Sequence, residues 1–257
     1  MVYQPKPNEP YFPSPVNREY HRWWSPILDR EMELLVFGHA GEKVLVFPTR
    51  GGRFYEYENL RIVNTLSEKL AAGEIQLFCV DGIDSESFYC WWAHPSGRIQ
   101  RHIQYEQYLL EEVLPFMEEK NPHPRVVSHG CSLGAFHAAN IAFRHPHLFD
   151  KLAAFSGRYD LTLAVENFPN LFDGFYNDDI YYHTPNHFLP QLECPKVLKH
   201  LRKMEITLVI GEEDPFLQNN IELCEVLKEK KVPHQFITWG ERAHRGYYWR
   251  RMAPLYL

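Results

Sequence analysis

Apolar residues recur along this chain with two different periods. Glu19–Ser25 and Glu33–Phe37 read as short strands joined through Asp29-Arg30, a hairpin pattern. Lys43–Phe47 (KVLVF) is an unbroken apolar run that stops at Pro48, as suits a strand covered on both faces. From there the period alternates. Residues 59–71 are predicted helical, with Leu60, Val63, Leu66 and Leu70 on one face, and Ile75–Val80 follows as a strand. Residues 103–119 place Tyr105, Leu109, Val113 and Phe116 on one helical stripe. A short strand at 125–128, a helix at 135–144 and a strand at Lys151–Phe155 come next. Residues 159–191 break the pattern: dense in Asn, Asp, Pro, Tyr and Phe, they read as a loop-rich or short-helical insertion. The alternation then resumes with a strand at 205–210, a helix at 217–230, a strand at 234–239 and a short helix from Tyr248. Strands alternating with helices predict an α/β fold: a mostly parallel sheet with helices on both faces and the N-terminal hairpin as an antiparallel edge. No linker divides the chain. The expected organisation is an N-terminal arm over residues 1–18, rich in proline, and a single domain over 19–257 that contains the insertion.

Composition narrows the classes. Of 257 residues 45% are hydrophobic and 23% charged, an ordinary globular balance. The net charge of -6, with no run of Lys and Arg, argues against a nucleic-acid partner. No stretch reaches the ~18 apolar residues of a membrane span, and the N-terminus has no charged-then-apolar leader pattern. Five cysteines without C-x-x-C spacing suggest reduced thiols and a cytoplasmic setting.

Chemistry concentrates at Gly130-Cys131-Ser132-Leu133-Gly134, a G-x-S-x-G pattern. By chance such a pattern occurs in roughly one chain of this length in ten, so its context decides. Here it follows the apolar pair Val126-Val127 and opens a helix containing Ala135, Ala138, Ala139 and Ile141. Strand, sharp turn and helix in that order lift one hydroxyl above a sheet, which makes Ser132 the candidate nucleophile. The blander reading is a Gly-rich turn whose serine caps a helix. Cys131 at the x position is expected to point into the core as a small hydrophobe.

A serine nucleophile needs a base, and on this arrangement the partners follow it in the order acid, then histidine. Of the later histidines only His244 lies in a loop after the last predicted strand. His137 sits on the helix just after the turn and reads as structural. The acid should emerge where the 205–210 strand ends, in Gly211-Glu212-Glu213-Asp214; Asp214 is best placed, with Glu213 and Glu212 as alternatives. The oxyanion hole takes one backbone N–H from Leu133 and another from the loop after Lys43–Phe47, where Gly51, Gly52 and Arg53 are the candidates. Tyr55, Tyr57 and Phe88–Trp92 could line a pocket or simply fill the core. His183 and His187 are an i, i+4 pair, but Pro185 between them argues for a loop and no metal site is expected.

These pieces resemble the esterase-D-like, or "putative esterase", branch of the α/β-hydrolases over nearly the whole chain from about Tyr20. The likeness rests on Val44–Thr49, the elbow Gly130–Phe136 leading into Arg144-His145-Pro146, the acid loop Gly211–Asp214, and His244 followed by Tyr248-Trp249-Arg250. It implies a three-layer α/β-hydrolase sandwich, a Ser132–Asp214–His244 triad and no cofactor. Where relatives often carry His-Gly-Gly, this chain has Pro48-Thr49-Arg50-Gly51-Gly52, which leaves the second oxyanion donor open. The expected activity is hydrolysis of a small carboxylic ester through an acyl-enzyme. Acyl transfer by the same residues, and a non-catalytic binding protein on the same scaffold, are the alternatives; homo-oligomerisation is left open.

Overall fold

The computed structural model describes residues 16–257. The expected arm over 1–18 therefore lies almost wholly outside the described residues, and Arg18 already opens the first strand. Eight strands form one sheet: β1 (Arg18–Ser25), β2 (Arg30–Phe37), β3 (Glu42–Phe47), β4 (Ile75–Val80), β5 (Val126–Cys131), β6 (Lys151–Phe155), β7 (Glu205–Gly211) and β8 (Gln235–Trp239). Their order across the sheet is β1-β2-β4-β3-β5-β6-β7-β8. β1 and β2 pair antiparallel, as do β2 and β4, and every pair from β4 onward is parallel.

The period of two along each strand sorts its side chains between two cores. Leu45 and Phe47 of β3 and Phe78 and Val80 of β4 face Tyr105, Leu109 and Val113 on one side and Ala135, Ala138 and Ala142 of the helix after β5. Val44 and Val46, with Leu77 and Cys79, face the other side, where Tyr57, Val63, Leu66, Trp249 and Met252 close over them. Helix, sheet, helix make three layers, and the central strands are apolar on both faces because each face is covered. The edge strand β8 is correspondingly polar, with Gln235 and Thr238 exposed.

Two helices differ from the sequence expectation. The helix predicted over 59–71 is three short ones, Glu56–Asn59, Ile62–Thr65 and Ser67–Ala72. Arg61 breaks it with φ 59, a left-handed backbone angle that no helix tolerates, while Val63, Leu66 and Leu70 remain buried. The helix predicted from 103 begins at Pro95, capped by His94, whose side chain accepts from the Ser96 N–H. Its first two turns bury Arg98 and His102, polar residues that conceal the stripe. It widens into a π turn at Leu109–Val113 before Leu114–Lys120. Pro115 has no N–H to give and its ring crowds the preceding turn, and the wider turn makes room for it. The stretch between β6 and β7, expected to be loop-rich or short-helical over 159–191, carries helices at Asp178–Tyr182 and Pro185–Phe188, and Pro195–Leu201 follows beyond it. Its Leu161, Leu171, Phe172 and Ile180 pack with Phe88, Leu133 and Phe136 in a third core, so the insertion is seated on the first turn of the helix after β5. No helix among the described residues is long and apolar enough to cross a membrane.

Candidate active site

β5 delivers the chain to Ser132 at the sheet's C-terminal edge, and the helix Leu133–Arg144 starts at the next residue. Ser132 holds φ 57 and ψ -121, a strained backbone angle for a side chain with a Cβ. The turn is tight enough to exclude side chains from both flanking positions. A Cβ on Gly130 would lie 2.3 Å from the Gly134 carbonyl, and one on Gly134 would lie 2.5 Å from the Phe47 carbonyl oxygen. The Ser132 N–H donates to the Phe155 carbonyl at 2.8 Å, tying the turn to β6. Cys131 points the other way: its thiol is fully buried, 3.2 Å from the Tyr57 hydroxyl, and burial pushes its pKa well up. It stays protonated inside the core.

His244 and Asp214 meet this serine. The His244 Nε2 lies 2.9 Å from Ser132 Oγ, and its Nδ1 lies 2.6 Å from Asp214 Oδ2. An ionised carboxylate only accepts, so Nδ1 carries the hydrogen and Nε2 is left to accept from the serine hydroxyl. Asp214 is buried, and its other oxygen accepts the Phe216 N–H at 3.0 Å. Glu212 and Glu213 are exposed and turn away. The loop that carries His244 is pinned on both sides. Ala243, buried at φ 46, receives a hydrogen bond from Ser156 Oγ on its carbonyl, and Trp249 Nε1 donates to the same Ser156 Oγ. The Glu213 N–H donates to the Glu241 carbonyl, so the loops after β7 and β8 are held together.

The loop after β3 departs from expectation. The Gly51 N–H is taken by Asp84 Oδ2 at 2.9 Å, and the Gly52 N–H closes a turn onto the Thr49 carbonyl at 2.8 Å. The Arg53 N–H has no acceptor among the described residues but lies off the cavity, with its guanidinium clamped by Asp81 and Glu33, each at 2.6 Å. Glu56 accepts the Thr49 N–H at 2.7 Å. That leaves Arg50 as the residue of the Thr49–Gly52 turn whose N–H has no acceptor among the described residues. Arg50 lines the same cavity as Ser132 and Leu133, whereas Gly51, Gly52 and Arg53 do not. The glycines in the sequence therefore mark the turn, and two carboxylates, the partly buried Glu56 and the buried Asp84, hold it. The Leu133 N–H, first in its helix, likewise has no acceptor among the described residues.

Ser132 and His244 open into a cavity of about 260 Å³. Tyr89, Phe168, Phe216 and Trp249 give it aromatic walls, and Arg50 and Arg158 enter it as well. Of the aromatic run in the sequence only Tyr89 reaches it; Phe88 is core, and Trp91 and Trp92 are exposed. A larger groove, about 540 Å³, opens at the opposite end of the strands beside Lys151, Glu205 and Gln235, far from this chemistry.

The two histidines at 183 and 187 part company. His187 meets Asp160 at 3.1 Å, while His183 lies with His102 and Glu106 in a buried cluster whose ligand-type atoms are within 4.8 Å of one another. Glu106 is already matched there. Burial alone would raise its pKa, but hydrogen bonds from His145 and the Arg144 charge hold it at about 2.

With this geometry in view, comparison with known proteins gives a consistent family. The family model described as "Putative esterase" matches residues 27–250. Among solved structures, a ferulic acid esterase superposes with a TM-score of 0.74 at 17% identity, covering 93% of this chain and 95% of its own. An S-formylglutathione hydrolase from Agrobacterium tumefaciens gives 0.72 at 15% identity, covering 96% and 95%. One from Staphylococcus aureus gives 0.68 at 17% identity, covering 93% and 94%. No curated protein sequence matches.

Proposed function

Since the chain belongs to the family described as "Putative esterase", we propose that Ser132 is the nucleophile of a carboxylesterase-type serine hydrolase, His244 its general base and Asp214 the acid that orients the imidazole. The support that carries the reading is the continuous hydrogen-bonded line from Ser132 Oγ through His244 to Asp214, at 2.9 and 2.6 Å.

In the first half-reaction Ser132 Oγ attacks the ester carbonyl carbon while its proton passes to His244 Nε2. The carbonyl oxygen becomes an oxyanion facing the N–H groups of Leu133 and Arg50, the two donors left open beside the cavity. The tetrahedral intermediate collapses, the carbon–oxygen ester bond breaks, and the proton on His244 goes to the departing alkoxide. A water then attacks the acyl-enzyme, gives one proton to His244, and the carboxylic acid leaves as Ser132 regains its proton. Asp214 stays ionised throughout and stabilises the imidazolium. The free state of all five cysteines fits a reducing, cytosolic setting.

Hydrolysis of 4-nitrophenyl acetate by the purified protein tests this reading. Ser132→Ala should lower kcat by about 10⁴-fold or more and abolish labelling by a fluorophosphonate probe. Unchanged turnover in that variant would remove Ser132 from the mechanism, and no labelling of the wild type would favour a binding protein.

A further inference from the structure

The walls of the cavity carry more positive charge than hydrolysis of a neutral ester needs. Arg158 follows β6 and is buried, with 5% of its surface exposed. Its Nε donates to the Asp160 carbonyl at 3.2 Å. Its Nη2 meets the carbonyls of Leu161, Leu163 and Pro169 at 3.3, 2.5 and 2.7 Å. Those four bonds fix the guanidinium plane, which lies 5.5 Å over the Phe216 ring. None of them neutralises it. Among the described residues no carboxylate lies within 4 Å of Arg158, and its Nη1, with two N–H donors, has no acceptor. The nearest acid, Asp160, gives both carboxylate oxygens to Thr162 and His187.

Arg50, on the same cavity, is also without a carboxylate partner among the described residues. It rests its guanidinium 5.5 Å over the Tyr89 ring, and Tyr89 feels the charge of both arginines. Among the described residues no Asp or Glu lines this cavity. A buried cation without a counter-ion is costly unless something bound supplies the charge. The guanidinium is held flat by backbone carbonyls at Nε and Nη2, and its Nη1 N–H groups remain to donate to a carboxylate oxygen of a bound anion.

We propose that the ester cleaved at Ser132 carries a carboxylate, and that Arg158, helped by Arg50, receives it. This rests on the reading of Ser132 given above and narrows it to a substrate class: a compact ester with an anionic group, since a cavity of about 260 Å³ is smaller than those that enclose drug-sized ligands. The carboxylate sits on either the acyl or the alcohol side, and the two sources are separable.

Two matched pairs decide it. For the alcohol side, 4-acetoxybenzoate is compared with its methyl ester. For the acyl side, mono-4-nitrophenyl glutarate is compared with 4-nitrophenyl pentanoate, after subtraction of the spontaneous rate. In one pair the anionic member should have the higher kcat/KM, by about tenfold or more and chiefly through KM, and added salt should shrink the preference. Glutarate or benzoate should inhibit hydrolysis of the neutral esters competitively. Arg158→Met should pull the anionic-to-neutral ratio toward one. Because that change also frees four backbone carbonyls, Arg50→Gln, at an exposed side chain, provides the second measure and should lower the same ratio. Arg158→Lys, which keeps the charge and loses the fixed Nη1 donors, should fall between wild type and Met. Ser132-dependent turnover with no anionic preference in either pair, or with a preference that survives both substitutions, overturns the inference and leaves the hydrolase reading standing. Absence of Ser132-dependent turnover of all four esters overturns both.

Discussion

A single hydrogen decides how the Ser132–His244–Asp214 line works. The Asp214 carboxylate compels His244 to carry its proton on Nδ1, so Nε2 faces Ser132 as an acceptor. Asparagine at 214 keeps the size and retains an oxygen for the Phe216 N–H, but its amide can donate to Nδ1 and favour the other tautomer. Asp214→Asn should therefore fold with an unchanged melting temperature to within a few degrees and lose about 10³–10⁴-fold in kcat. Glu213→Gln, on a side chain that faces water, should leave both within about twofold of wild type. The ester assay and a thermal melt on the two variants separate an orienting acid from loop charge. A large loss in Glu213→Gln with none in Asp214→Asn would reassign the acid. Sequence order was enough to predict that these three residues meet, because a loop after the last strand and a loop after β7 are forced to the same sheet edge. It was not enough to find which N–H of the loop after β3 is left open to the cavity. Glycines draw attention to Gly51 and Gly52, but which N–H is spent depends on Asp84 and Glu56, and Asp84 comes from a different loop.

At the level of elements, the elbow and the loop after β3 form one backbone-to-backbone contact. Gly134 leaves no room for a methyl group between the new helix and the carbonyls of Phe47 and Pro48, 2.5 and 2.6 Å from where its Cβ would be. Gly134→Ala should thus force the helix start away from the loop that bears Arg50 and part the two N–H groups offered to an oxyanion. The expected result is a fall in kcat of about tenfold or more with a smaller change in KM, alongside a lower melting temperature. Wild-type kinetics in that variant would mean the two segments move independently. The same elements show what periodicity can and cannot reveal. Strands β3, β4 and β7 were legible because burial on both faces requires continuous apolar runs. The stripe Val63, Leu66 and Leu70 was legible too, yet its continuity as one helix was not, since nothing in the residue types requires Arg61 to turn left-handed. The first turns of Pro95–Tyr108 were hidden because Arg98 and His102 are polar yet buried, with partners that include Leu171 and Asn140, far off in sequence. The bounds of the short helices between β6 and β7 could not be read for a related reason: their few apolar side chains pack on Phe88 and Phe136, and a segment of one turn has no period to read.

Over the whole molecule, the buried histidines and their carboxylate make stability depend on acid in a defined direction. His129, in the middle of β5, is fully buried; burial brings its pKa from 6.5 down to about 4, with the Lys151 charge acting the same way and its hydrogen bond to the Ala153 carbonyl opposing. It is neutral when folded, with Nδ1 donating to Ala153 and Nε2 accepting from the Tyr57 hydroxyl at 2.7 Å. The unfolded chain takes up this proton first, so stability falls as pH drops from 6.5 to about 4, by about 3 kcal/mol in the limit. His102, driven well below its ordinary value by burial and by the nearby His183, His137 and Arg144, adds to the same slope. Glu106 acts lower. Its folded pKa of about 2 lies under the 4.5 of a free glutamate, so its contribution is complete above 4.5 and disappears as pH falls from there toward 2. Against a total of 5–15 kcal/mol typical of a folded domain, these losses together are large. The urea midpoint should be the same at pH 7 and pH 8 so far as these groups decide it, fall between pH 6.5 and 4, and fall again below 4.5. His129→Phe should lower the midpoint at pH 7, because Tyr57 loses its acceptor, and should flatten the upper part of the descent. A midpoint that stays level from pH 7 to pH 4.5 in the wild type, or a slope that His129→Phe leaves intact, would show that the buried imidazoles are not what acid attacks.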